Sequence, residues 1–158
     1  MLFRSWKSTL SGTQYADKKE YENLIAKADT YQKKELYQKA GRTYEKVAEK
    51  SNEKKYWKKM DEAYKKIYSS SPEVYQEYSK ALIHGINMNP QDAYLLKSLT
   101  AISKENEDYN GVYRCLKKAM KNGGKKKKEI NSLFKQVRYA YTLDWNSFEN
   151  YKKGVWEM

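Results

Sequence analysis

An all-α fold of antiparallel helical hairpins is what this sequence predicts, on three observations. Apolar residues recur at intervals of three and four from about Tyr21 onward, the spacing of one helix face. The segments that carry this spacing are roughly 14 residues long and are joined by short polar breaks, the pattern of helices folding back on one another. Two prolines and seven glycines in 158 residues are too few for the turns of an all-β chain.

The elements follow in order. Leu24, Ala28 and Tyr31 share one helix face, and Ala40, Tyr44, Val47 and Ala48 share the next. Lys33-Lys34-Glu35 is the polar joint between them. Trp57, Met60, Ala63, Tyr64 and Ile67 form the third stripe, stopped by Ser69-Ser70-Ser71-Pro72. Ser71 is expected to cap the fourth helix, with Pro72 at its first position, where a missing N–H costs nothing. Val74, Tyr78, Ala81, Leu82 and Ile86 form the fourth stripe. Asn89-Pro90 repeats the stop, and Asp92 is expected at the third position of the next helix, where a carboxylate suits the N-terminal dipole. Leu95, Leu96, Leu99 and Ile102 mark the fifth helix, Glu105 to Asp108 a joint, and Val112, Cys115, Leu116 and Ala119 the sixth. Gly123-Gly124 is a helix stop. A seventh helix, about 126–141, carries Ile130, Leu133, Phe134, Val137 and Tyr141. Tyr44, Ile67, Leu82, Leu99 and Leu116 are expected to be buried.

The chain is also similar to itself. A shift of 72 residues sets Leu24 on Leu96, Ala28 on Thr100, Tyr37 on Tyr109, Ala40 on Val112, Tyr44 on Leu116 and Val47 on Ala119. That offset is two units of about 34 residues plus about four extra, and 34 is the tetratricopeptide period. Residues 107–120, from Glu107-Asp108-Tyr109-Asn110-Gly111 to Ala119-Met120, resemble the second half of a tetratricopeptide motif. Asn89-Pro90-Gln91-Asp92-Ala93 resembles its inter-repeat junction, and Leu36-Tyr37-Gln38-Lys39-Ala40, with Tyr44 and Val47, the same second half in the first unit. The resemblance covers roughly residues 21–122. It departs at the position usually held by tryptophan, here Leu24 or Leu96, and at Thr100, where the family has a small residue.

The resemblance implies a short right-handed solenoid of stacked hairpins closed by a C-terminal capping helix. It implies a helical domain over 21–142, between an N-terminal extension, 1–20, and a tail or the start of a further segment, 143–158. It also implies a concave groove lined by the first helix of each hairpin. By position, Glu22, Ile25, Asp29 and Gln32 would face that groove in the first unit, and Tyr94, Lys97, Ala101 and Lys104 in the third. Asp29 and Ala101 stand where the family's carboxylate clamp has asparagines, so a chaperone-tail clamp is not implied. A protein or peptide of acidic or mixed charge is the expected partner, with the chain acting as a non-enzymatic scaffold or adaptor.

Composition sets the outer limits. The hydrophobic share is 39%, including 16 tyrosines, which suit seams where the ring packs and the hydroxyl stays wet. The single cysteine, Cys115, excludes an internal disulfide framework and points to a reducing, cytoplasmic setting. No apolar run approaches the ~18 residues of a membrane span. Met1 to Leu10 includes Arg4 and Lys7 and lacks the continuous apolar stretch of a signal peptide.

No constellation for catalysis, metal or cofactor is apparent. His84 is the only histidine and sits beside Gly85, short of what a triad or a metal site requires. Cys115 lies among apolar residues, where a thiol is inert. Asp61-Glu62 and the acids of 105–108 read as solvated faces and a joint.

The formal charge of +12 admits acidic partners of several kinds. Arg114, Lys117, Lys118, Lys121, Lys125, Lys126, Lys127 and Lys128 form a basic run with no acid among residues 112–128. A phosphate backbone would be attracted there, which makes nucleic acid the alternative partner. Cations also suit a helix C-terminus in their own right.

Overall fold

A computed structural model of the chain describes residues 12–121 and 128–139. Among them the fold is all-helical: α1 (Gly12–Lys33), α2 (Tyr37–Ser51), α3 (Lys54–Ser70), a 3-10 turn (Pro72–Val74), α4 (Tyr75–Met88), α5 (Ala93–Glu105) and α6 (Asn110–Lys121), then α7 over 128–139. The chain divides into two compact units, Met1–Ala81 and Leu82–Met158, with the division inside α4.

In the first unit α2 packs against both α1 and α3. Its contacts fix the directions. Lys50 reaches Glu20 at 3.8 Å, Tyr44 donates to Asp29, and the Lys39 ammonium lies over the Tyr31 ring. As numbers rise on α2 they fall on α1, so the pair is antiparallel. Lys66 over Tyr37 and Lys59 over Tyr44 give the same relation between α2 and α3. Helices α1 and α3 therefore run in the same direction, with Tyr21 edge-on to Tyr56 at 6.4 Å.

The core of this unit is aromatic. Trp57, Met60, Ala63, Tyr64 and Tyr78 are all fully buried. Tyr64 and Tyr78 stack at 5.5 Å, and Tyr78 donates its hydroxyl proton to the buried Asp61 carboxylate. A buried carboxylate needs such donors, because an unpaired charge in an apolar interior is expensive. Gly41 on α2 lies so close to the Tyr64 ring that a Cβ there would sit 2.9 Å from it.

Glu77 accepts from Gln38 at 2.7 Å and from Arg42, tying the start of α4 to α2. Burial pushes its carboxyl upward, but the Arg42 and Gln38 hydrogen bonds outweigh burial and hold it below the usual carboxylate range. A lowered folded-state value means the contribution is complete above the unfolded glutamate range, about 4.3. It is lost as pH falls through the lowered value. Because Arg42 is more than half exposed, the loss is about 0.2–1 kcal/mol. Urea midpoints at neutral and acid pH test this: Glu77→Gln should lose less stability on acidification than the native chain.

In the second unit α5 packs on α6. Tyr113 of α6 stacks on Phe134 of α7 at 5.5 Å, and Lys104 of α5 donates to Gln136 of α7 at 3.3 Å. Ile130, Leu133 and Val137, spaced three and four apart, are the buried face of α7.

The first and third hairpins turn in the same way. In the first, the Leu36 N–H donates to Tyr31 O and the Glu35 N–H to Gln32 O. In the third, the Asp108 N–H donates to Ser103 O and the Glu107 N–H to Lys104 O. Every partner is displaced by the 72 residues of the sequence self-match. Both pairs of bonds make the Schellman closure of a helix, and Glu35 and Glu107 take the left-handed conformation, φ 59° and 51°.

Several expectations need correction. Helix α1 starts at Gly12, well before Tyr21, because its first turns carry no apolar period to signal them. Ser71 precedes the 3-10 turn without a side-chain cap bond. Asp92 is itself the N-cap of α5, accepting from the Leu95 N–H at 3.2 Å, and Pro90 lies in the turn before it. Tyr44, Leu82, Leu99 and Leu116 are buried. Ile67 is only half-buried, because it lies where α3 ends and borders an open cleft. Gly123-Gly124 lies outside the described residues.

Candidate functional site

Polar groups collect on the first unit where α1 and α3 face each other. Asp29, Gln32 and Lys33 from α1, Tyr44 from α2, and Lys59 and Glu62 from α3 line an open cleft of about 290 Å³. Helix spacing explains the set. Asp29, Gln32 and Lys33 fall on one face of α1, and Lys59 and Glu62 lie one turn apart on α3, off the stripe of Trp57, Met60, Ala63 and Tyr64 that enters the core.

The Tyr44 hydroxyl donates to Asp29 Oδ1 at 2.5 Å. Burial first, then this bond to a carboxylate, push the Tyr44 phenol well above its ordinary range. Lys59 Nζ is 3.8 Å from the same Asp29 oxygen and lies 5.6 Å from the Tyr44 ring centre and 6.0 Å from that of Tyr56. Its side chain is nearly half exposed. The Gln32 amide oxygen is buried without a hydrogen-bond partner. Glu62 forms no hydrogen bond or ion pair within the described residues.

The sequence placed Glu22, Ile25, Asp29 and Gln32 on one groove face of α1. Of these, Asp29 and Gln32 enter the cleft. Glu22 is exposed and pairs with Lys18 at 3.8 Å, and Ile25 is half-buried. Lys59, Glu62 and Tyr44 were not anticipated. Off-stripe polar residues on α3 could have suggested the first two, but Tyr44 read simply as core.

The other four groove residues are on α5, in the second unit. Tyr94 is half-buried, while Lys97, Ala101 and Lys104 are exposed. Of the basic run, Arg114, Lys117, Lys118 and Lys121 are exposed at successive spacings of three, one and three, a solvent-facing stripe along α6. Lys128 is exposed on α7. Lys125, Lys126 and Lys127 lie outside the described residues.

His84 and Cys115 are each half-buried. Burial pushes the Cys115 thiol up, against an opposing pull from Lys118, so the thiolate that nucleophilic chemistry needs is disfavoured. Among the described residues no group of three histidine, cysteine or acidic side chains could hold a metal ion. No helix of the described residues is long and apolar enough to cross a membrane. Comparison with protein-family models and with curated proteins finds no match.

Proposed function

We propose that this chain is a non-enzymatic, tetratricopeptide-like interaction module that binds a protein or peptide of acidic or mixed charge. The observation that carries this reading is the α1–α3 cleft. It offers carboxylates and lysines on preformed helices, so a partner segment loses little affinity to ordering the site. A second reading, nucleic-acid binding through the 114–128 segment, draws on the acid-free stripe of Arg114, Lys117, Lys118 and Lys121.

Association kinetics with a co-purifying partner separate the two. Cleft residues should govern dissociation, and surface lysines the association rate at low salt. Asp29→Ala with Glu62→Ala is expected to speed release at an unchanged on-rate. Lys117→Ala with Lys118→Ala and Lys121→Ala should slow association at low salt only. If the cleft pair changes nothing while the stripe variant abolishes binding at every salt, and generic nucleic acid competes, the nucleic-acid reading replaces the first.

A further inference from the structure

We infer that the α1–α3 cleft is a receptor for a guanidinium group, so that the partner segment presents an arginine to it. This rests on the proposed function and specifies the chemistry of the same site. The protein's own Lys59 marks the position. Its ammonium lies beside Asp29 and against the faces of Tyr44 and Tyr56, two features that attract cations.

Lys59 fills the position poorly. At 3.8 Å from Asp29 it is beyond hydrogen-bond reach. Among the described residues the Gln32 amide oxygen is buried without a hydrogen-bond partner, and the Glu62 carboxylate has no hydrogen bond or ion pair. The cleft therefore holds two carboxylates, Asp29 and Glu62, that one ammonium does not satisfy. A guanidinium is flat enough to lie on a tyrosine ring and carries five donors in a planar fork, against three on a single point in lysine. It is also weakly hydrated, so entering a cleft costs it less than it costs an ammonium.

Lys59 has a long flexible stem and a nearly half-exposed side chain, so it can swing into solvent when an arginine enters. There it joins Lys33 at the cleft edge, where both can meet acidic residues flanking that arginine. This is how a chain of charge +12 can select a mixed-charge segment. At physiological salt, charges beyond about 8 Å are largely screened, so the cleft's own groups decide the outcome.

The test is an NMR titration of the full chain with N-acetyl-arginine amide, beside the citrulline analogue, which is neutral but nearly isosteric. Shifts are expected at Asp29, Gln32, Tyr44, Lys59 and Glu62 with arginine, and about tenfold weaker binding with citrulline, the ratio for losing one charge-assisted contact. Lys59→Gln, which removes the resident competitor, should tighten arginine binding several-fold. Glu62→Gln breaks no internal bond and should weaken it with an unchanged unfolding midpoint. Equal binding of citrulline, shifts elsewhere in the chain, or weaker binding by Lys59→Gln would each overturn the inference. If arginine fails but Asp29→Ala with Glu62→Ala still hastens partner release, the guanidinium assignment alone falls. If that pair also leaves release unchanged, the interaction reading falls with it.

Discussion

Trp57→Ala should cost about 3–5 kcal/mol, the range for emptying a fully buried aromatic site, and should unfold much of the first unit at ordinary temperature. Trp57 has no exposed surface. Its indole N–H donates to Asn52 Oδ1 at 3.1 Å. Asn52 is in the left-handed conformation that ends α2, so the tryptophan both fills the core and braces the α2–α3 joint. Native stabilities are only about 0.05–0.15 kcal/mol per residue, and a loss of this size takes much of the total. Trp57→Phe keeps most of the ring and loses the hydrogen bond, worth about 1 kcal/mol. Urea unfolding followed by circular dichroism should rank native above Trp57→Phe, and Trp57→Phe well above Trp57→Ala. A Trp57→Ala loss under about 1 kcal/mol would contradict the packing described.

Gly41→Ala carries the second large effect, and its sign is the informative part. In an exposed helix the change gains about 1 kcal/mol, since alanine is the better helix former. Here the new Cβ would meet Tyr64 Cε2 at 2.9 Å and Cζ at 3.2 Å. The ring cannot retreat, because Tyr64 is fully buried and stacked on Tyr78. Overpacking of this kind costs about 1–3 kcal/mol. Gly111→Ala is the control. Its Cβ would meet only Ile83 Cδ1 at 3.5 Å, an ordinary contact, so in the first turn of α6 it should stabilise, by less than the ~0.5–1 kcal/mol of a mid-helix site. Opposite shifts in unfolding midpoint are the expected result; two stabilised variants would mean that α2 and α3 pack less closely than described.

The helices were legible in the sequence because burial writes itself as period. Trp57, Met60, Ala63 and Tyr64 lie three, three and one apart, and all four are buried. The start of α1 was not legible, since a helix turn with no apolar face leaves no such trace. Two of the six cleft residues could be read: Asp29 and Gln32 follow from counting along one helix. For Lys59 and Glu62 the spacing gives only that they lie off the buried stripe of α3; that they meet α1 depends on how closely the two helices approach across about 30 residues of chain, which no local spacing encodes. The turns hid for another reason. A left-handed helix end usually announces itself with glycine, and here the residues are Glu35, Asn52 and Glu107.

Those glutamates bear on cooperativity. A side chain with a Cβ in the left-handed region costs roughly 1–2 kcal/mol, and a carboxylate beyond a helix C-terminus faces the negative end of the dipole. The turns at Glu35 and Glu107 thus work against the hairpins they close. Their Schellman hydrogen bonds offset part of that cost, and the packing of α2 on α1 and α3 supplies the rest. The order of the first unit is thus shared across its helices: a lone α1–α2 hairpin would keep its own turn and the Tyr44–Asp29 bond but lose the face that α2 lays on α3.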